Sequence, residues 1–422
     1  MRIIDIMLNC GRRRFSDLIH LSWRLFSVLL PTLWLFACHP GDVTHWQPPS
    51  STGPLEKRFQ QTLDQLCRDA GFPGATAAFA LGEARPALFA TGLADREQRL
   101  AMTPEARMLS GSTGKSFVAA VVLALVQEGR LELDAPISTW LGTKSWFPRL
   151  PNAEDLTLRM LLRHQSGIPD HVHSERFAQA LKAKIQAEGP DARLVPDELI
   201  ALVLDEKPLF SAGRGYAYSD TNYILAGMII EKVTGNSYYA ELDRRFLEPL
   251  KLVRTRPADR RRLPGLVPGY IRGESPFGLP HKVMKDGILV YNPASEWTGG
   301  GLISNPGDLV RWARMLYTGR AIPGDYLDDL LDSVPKDRPQ RERYGPSVRY
   351  GLGVTIRESR FGTAYGHRGW TPGYLSIFEF YPAHDLAVAL QINELAPHDM
   401  TLYLERLAAS LLAERERTAM TR

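Results

Sequence analysis

The chain has 422 residues, 44% of them hydrophobic and 23% charged, with a formal net charge of +4. That length exceeds the usual single domain, so one large domain with an insert, or two domains, is expected. Basic residues are dispersed apart from Arg12–Arg14 and Arg260–Arg262, which gives nucleic acid little support as a partner, and the three cysteines form neither a disulfide framework nor a metal-type spacing.

Residues 1–38 read as a targeting segment. Arg12, Arg13, Arg14 and Arg24 precede an apolar run from Leu25 to Ala37, which is short for a membrane span and carries Pro31. The run ends Leu35-Phe36-Ala37-Cys38, and a small residue before a Cys at such a place resembles the bacterial lipoprotein processing site. The resemblance implies lipidation at Cys38 and a membrane-anchored protein facing the periplasm or cell exterior. An ordinary cleaved signal peptide, with Cys38 incidental, is the alternative, and Met7 is a second possible start. Residues 39–54 are rich in Pro, Ser and Gly and read as a tether.

The folded part begins with an amphipathic helix carrying Leu55, Phe59, Leu63, Leu66 and Cys67, the last a small core residue. Strands are expected at 75–81 and 87–92. After Leu109-Ser110-Gly111-Ser112-Thr113-Gly114-Lys115 comes a run with helical spacing (Phe117, Val118, Val121, Val122, Leu125, Val126), expected to bury one stripe of a helix. From about 136 to 265 the pattern is mainly helical, with helices at 156–162, 175–187, 196–204, 221–233 and 237–246. Strands return at 352–356, 374–381 and 386–392, and a helix at 401–414 closes the chain. Strands at both ends with helices between make an α/β chain of the α+β type, an antiparallel sheet interrupted by a helical insert.

Ser112 would sit at the start of its helix, where Ser is favoured. Lys115 lies one turn on, on the same face, within reach of the Ser112 hydroxyl. A neutral amine there can take the hydroxyl proton, which is the arrangement of an activated nucleophile; on the pair alone, a plain N-cap of a core helix is the alternative reading. Ser333-Val334-Pro335-Lys336 repeats the spacing but reads as chance, because the polar, Pro-broken Asp337-Arg338-Pro339-Gln340-Arg341 follows it. His171-Val172-His173 is a weak metal candidate, since zinc needs three or four placed ligands. No Gly-x-Ser-x-Gly elbow frames Ser112, and His164 reads as structural.

Two further stretches complete a pattern. Gly215-Tyr216-Ala217-Tyr218-Ser219-Asp220-Thr221-Asn222 precedes an apolar helix, and Gly366-His367-Arg368-Gly369-Trp370-Thr371-Pro372-Gly373 leads into a strand. With Ser112 and Lys115, in this order, they resemble the serine β-lactamase-like hydrolases, nearest to the group of class C β-lactamases, D-alanyl-D-alanine carboxypeptidases and esterases. The resemblance runs from about Leu55 to Glu414. It implies a β-lactamase/penicillin-binding-protein-like fold over residues 55–416 and hydrolysis of an ester or amide through an acyl-enzyme. The partner is then a small-molecule or peptide substrate (an ester, amide or β-lactam), and no cofactor or metal is implied. Class C-like β-lactamase activity, or binding of penicillin or cell-wall peptide without turnover, are the alternatives.

Residue by residue, the resemblance makes Ser112 the nucleophile, Lys115 its proton acceptor and Tyr218 the proton shuttle. The backbone N–H groups of Ser112 and Trp370 fall at the oxyanion hole, and Asp220, His367 and Gly369 support substrate binding. Two departures stand out. Asp220 replaces an Asn, so it can hold Lys115 but cannot donate an amide N–H. His367-Arg368-Gly369 replaces Lys-Thr-Gly, and an imidazole, mostly neutral above pH 7, holds a β-lactam carboxylate less firmly than a Lys does.

Overall fold

The computed structural model describes residues 53–338, 341–342 and 347–420, with side chains described to residue 412. The expected signal segment, Cys38 and all but the last residues of the tether lie outside the described residues.

The strands of the main sheet are β1 (Gly74–Leu81), β2 (Ala87–Asp95), β3 (Leu100–Ala101), β4 (Val334–Pro335), β5 (Arg349–Tyr350), β6 (Thr355–Ser359), β7 (Gly362–Thr371), β8 (Tyr374–Tyr381) and β9 (Leu386–Ile392). They form one antiparallel sheet in the order β4-β5-β6-β7-β8-β9-β1-β2-β3. The first strand therefore pairs with the last, Ala75 opposite Ile392 and Leu81 opposite Leu386. Side chains alternate between the faces. Ala75, Ala77, Phe79, Ile377, Val388 and Leu390 face one core, while Ala78, Ala80, Phe378, Phe380, Ala387 and Ala389 face the other.

Helices cover both faces: α1 (Pro54–Ala70), α2 (Lys115–Gln127), α3 (Glu175–Glu188), α4 (Asp220–Thr234), α5 (Pro306–Tyr317) and α6 (Met400–Met420). Phe59, Leu63 and Leu66 of α1 join Leu404, Leu407 and Leu411 of α6 on the first face. The larger core lies on the second, where α5 packs on the sheet and α2 and α4 lie further out.

Here the structure differs from the sequence expectation. Helix α2 is buried on every side from Lys115 to Leu125, and α4 from Thr221 to Ile230. Helix α2 packs on α5 through Phe117 and on α4, and α4 packs on α2 and the short helices of the insert, so within those spans no face of either meets water. Burying each Val or Leu in this way stabilises by about 1.5–3 kcal/mol. Phe117 stacks on Trp312 at 4.1 Å, and the Trp312 indole donates to Ser116 Oγ at 2.9 Å, which fixes the first turn of α2.

Other boundaries moved. The strand expected at 352–356 is Thr355–Ser359, because residues 351–354 make a turn in which the Gly351 amide donates to the Val354 carbonyl. The helix expected over 237–246 is α-helical only at Tyr238–Leu242 and continues as a π turn, Asp243–Leu247. The helix expected over 196–204 ends at Ala201. The stretch around His367 lies inside a strand, β7, rather than ahead of one. Between Ser138 and Leu247 every regular element is helical.

Candidate active site

Ser112 stands on a 3₁₀ turn, Gly111–Gly114, that runs directly into α2. Lys115, the first residue of α2, is completely buried, and its Nζ donates to Ser112 Oγ at 3.1 Å. The same nitrogen contacts the Asp220 carboxylate and the Gly299 carbonyl. It also lies 5.1 Å from the centre of the Tyr218 ring and 5.3 Å from that of Tyr223. Three acceptors and two ring faces thus hold one amine, with no room to swing away. Asp220 opens α4, so the two helix starts bring the pair together.

Tyr218 lies just before α4. Its hydroxyl is buried and makes no well-formed hydrogen bond with any described residue. Burial, and then the charge of Asp220, push its pKa well above the usual value, while neighbouring Ser112 pulls the other way. The ring packs 4.1 Å from His164, whose Nδ1 accepts the Ser219 N–H at 3.2 Å. Burial and Lys115 push the His164 pKa well below 6.5, so it is a neutral prop for Tyr218.

Glycines set the spacing at the nucleophile. Gly111 has φ +52°, and a Cβ there would lie 2.7 Å from the Trp370 amide nitrogen. A Cβ on Gly369 would lie 2.0 Å from the Ser110 carbonyl oxygen and 2.9 Å from the Ser112 amide nitrogen. Strand β7 can approach the Ser112 turn this closely only without those side chains. Pairing with β6 stops at Gly366, opposite Thr355, so the end of β7 keeps that edge for the turn. The amides of Ser112 and Trp370 are brought to the same place.

His367 uses both ring nitrogens. Nδ1 is 2.6 Å from the Arg368 carbonyl, and Nε2 is 2.7 Å from the Tyr350 hydroxyl. These partners assign the proton to Nδ1 and make Nε2 the acceptor. Burial, then Lys115, push the pKa well below 6.5, so the imidazole is neutral. Tyr350 in turn meets the Tyr218 ring edge-on at 6.2 Å.

Sequence reasoning missed four groups here. Lys336 is buried, with Nζ 3.1 Å from Thr355 Oγ1 and 5.1 Å from the centre of the Tyr350 ring. Burial, then the charge of Arg368, lower its pKa to about 7. It does not pair with Ser333, whose Oγ accepts from Arg349 at 3.0 Å. Residues 334–335 are a strand, so positions three apart do not share a face. On the other side of Lys115, Asp170 Oδ1 accepts the Val172 and Asp220 amides, each at 3.2 Å. Burial, then Asp220, raise Asp170 to about 7, and the same two causes raise Glu296 to about 7. The fourth group is the Gly299 carbonyl; its signal was the run Gly299-Gly300-Gly301.

The remaining candidates have ordinary settings. His171 Nδ1 lies 3.0 Å from Thr221 Oγ1, and the His173 side chain is 70% exposed. Among the described residues no cluster of three metal-ligating side chains occurs. Cys67 Sγ lies 3.5 Å from the Phe72 carbonyl, and burial raises its pKa.

Residues 57–413 match the Beta-lactamase family model. Esterase EstB of Burkholderia gladioli is 28% identical over 351 residues, covering 76% of this chain and 79% of the esterase. A penicillin-binding protein of Bacillus subtilis (strain 168) is 26% identical over 306 residues, 69% of this chain and 62% of that protein. Among solved structures, a D-stereospecific amidohydrolase from Streptomyces sp. superposes with a TM-score of 0.71 at 28% identity, covering 85% of this chain and 99% of that one. The D-amino acid amidase of Ochrobactrum anthropi SV3 gives 0.70 at 26%, covering 86% and 100%. Matched by the family model over most of its length and similar to an esterase and to amidases, the chain belongs to the β-lactamase family of serine hydrolases.

Proposed function

We propose that the protein hydrolyses an ester or amide through an acyl-enzyme on Ser112. The observation that carries this is the 3.1 Å contact between Lys115 Nζ and Ser112 Oγ inside a buried site. Lys115, when neutral, accepts the Ser112 proton as Oγ attacks the substrate carbonyl. The amides of Ser112 and Trp370 then donate to the developing oxyanion, each worth on the order of 3 kcal/mol. Tyr218 rests as a phenol, so it enters as a proton donor to the leaving group and takes the proton back from water when the ester is hydrolysed. Asp220 and the Gly299 carbonyl keep Lys115 aimed at Ser112.

An ester or amide fits better than a penicillin. His367 is neutral and already occupied by Tyr350 and Arg368, so it offers no charge to a β-lactam carboxylate. The esterase and amidase relatives favour the same reading. After incubation with a fluorophosphonate, intact-mass spectra should show one adduct on the wild type and none on Ser112→Ala. An equal adduct on both would overturn the assignment. We also propose export and anchoring through Cys38, from the Leu35-Phe36-Ala37-Cys38 order. Cys38→Ser should then move the protein from the membrane to the soluble exported fraction, and a wild type already found there would refute the anchor.

A further inference from the structure

A short helix, Leu158–Leu162, ends at His164, whose φ of +58° lies in the left-handed region. The His164 amide donates to the Leu161 carbonyl at 3.1 Å and the Gln165 amide to the Met160 carbonyl at 2.8 Å. This pair of bonds is a Schellman stop, whose left-handed position usually takes Gly and sometimes Asn. A histidine there carries a strain that glycine avoids, so the ring points to a use beyond ending the helix.

That use lies in what His164 holds. Its carbonyl accepts the Ala217 amide at 3.0 Å, and its Nδ1 accepts the Ser219 amide at 3.2 Å. One residue thus grips the backbone on both sides of Tyr218. Asn222 Nδ2 reaches the same Nδ1 at 3.2 Å, and Ser166 Oγ donates to Asn222 Oδ1 at 2.6 Å, which turns the Asn222 amide towards the ring. Asp170 accepts the Asp220 amide at 3.2 Å. Residues 164–170 therefore form a mould for residues 217–222.

Tyr218 needs such a hold. Its buried hydroxyl makes no well-formed hydrogen bond with any described residue, so its aim comes from its backbone and ring. The ring lies 4.1 Å from that of His164. His164 is completely buried and also packs on Tyr223 at 5.3 Å and on Tyr350 at 4.8 Å, so it cannot shift without moving the aromatic wall of the site. A misplacement of about 1 Å in a reacting group can cost on the order of a hundredfold in rate.

We propose that His164 is a positioning residue for the reaction: its carbonyl and Nδ1 fix the backbone around Tyr218, its ring backs the phenol, and together they aim the Tyr218 hydroxyl at the leaving group. The proposal rests on the acyl-enzyme reading above, in which Tyr218 gives that group its proton.

The test reads the leaving group. A proton donor matters most when the departing oxygen is a strong base. Acetates of p-nitrophenol and p-methoxyphenol share an acyl group and differ in that basicity, so the ratio of their kcat/KM values reports on Tyr218. On the full-length protein, Tyr218→Phe should widen the p-nitrophenyl-to-p-methoxyphenyl ratio at least tenfold. His164→Gly satisfies the helix stop and keeps the carbonyl but removes the ring, and should widen the ratio at least fivefold. His164→Asn suits the left-handed backbone and places an acceptor near the position of Nδ1, so it should fall between His164→Gly and the wild type, at least twofold above the latter. In the Tyr218→Phe background, His164→Gly should widen the ratio no further. Because ratios are read, a partial loss of folded protein cancels; if His164→Gly gives no soluble protein, the twofold shift in His164→Asn decides. A helix stop alone predicts unchanged ratios in both His164 variants, and that result would overturn the proposal. So would a His164→Gly effect that persists undiminished without the Tyr218 hydroxyl. An unchanged ratio in Tyr218→Phe would remove the proton-donor role and the positioning role with it. Failure of fluorophosphonate to label Ser112 in the wild type would instead bring down the acyl-enzyme reading.

Discussion

The two sides of Lys115 are opposites. On the helical side stand three carboxyls, Asp170, Asp220 and Glu296. On the sheet side stand Lys336, Tyr350 and the neutral His367. Burial acts on both with the same result, loss of charge, but in opposite directions on the pKa scale: Asp170 and Glu296 rise to about 7, and Lys336 falls to about 7. Lys115 and Asp220 meet as a direct ion pair. A buried charge with a partner and a buried charge without one therefore sit within one site.

The largest effect should come from breaking the paired charge. Lys115→Arg keeps the cation but cannot give up a proton, because guanidinium stays protonated. Ester turnover should fall roughly a thousandfold, in the range of a lost general base. Activity within tenfold of the wild type would make Lys115 a mere counter-ion to Asp220.

A smaller effect should come from the unpaired lysine, and its sign depends on pH. Lys336 has a folded pKa of about 7, below the 10.5 of the unfolded chain. The folded state sheds this proton first, so its cost is complete below pH 7 and disappears as pH rises towards 10.5. Lys336→Met should therefore raise Tm by about 2–4 °C at pH 6, and the gain should shrink between pH 7 and 10.5. A gain that grew across that interval would contradict a buried, unpaired amine.

The acidic side should show the mirror image, weaker because two backbone amides already support the charge. Asp170 has a folded pKa of about 7 against 3.8 unfolded. Its favourable contribution is complete below pH 4 and is lost as pH rises through 7. Asp170→Asn keeps an acceptor for both amides, so its Tm should match the wild type near pH 4 and exceed it by about 1–2 °C above pH 7. Thermal scans at pH 4, 6 and 8 decide it, and a variant less stable at pH 8 would show that the carboxylate is needed ionised.

The comparison also separates what the sequence could and could not reveal. Spacing suggested Ser112 and Lys115 as a pair, whereas Tyr218 and Asp220 joined them only through the resemblance carried by the ordered motifs; the structure sets Lys115 against Ser112, Asp220 and the Tyr218 ring. Strands β8 and β9 were legible to the residue because each is a near-continuous apolar run and a turn separates them. Strand β7 was not, because Gly362, Gly366 and Gly369 interrupt its pattern, although those glycines are what let it reach the Ser112 turn. Lys336, Tyr350, Asp170 and Glu296 carry no local signal. They come to the site only through sheet order and the path of the insert, which single-sequence periodicity does not encode. The full burial of α2 and α4 escaped notice for a related reason: an apolar run states that it avoids water, not from how many sides.

The pairing of β1 with β9 governs how the chain must reach this state. The seam joins residues near the two ends of the described chain, Ala75 with Ile392, and it lies in the middle of the sheet. Neither half can complete its hydrogen-bond ladder before the other has been synthesised. Contacts so distant along the chain make for slow acquisition of the native state, with loop-closure entropy spent before the seam repays it. Until then β1 and β9 each present an open edge of apolar strand, the kind of surface that chaperones occupy and that aggregates build on. The catalytic strand β7 leans on β8, so hydrolytic competence should be among the last properties to emerge during refolding, after most helical signal has returned.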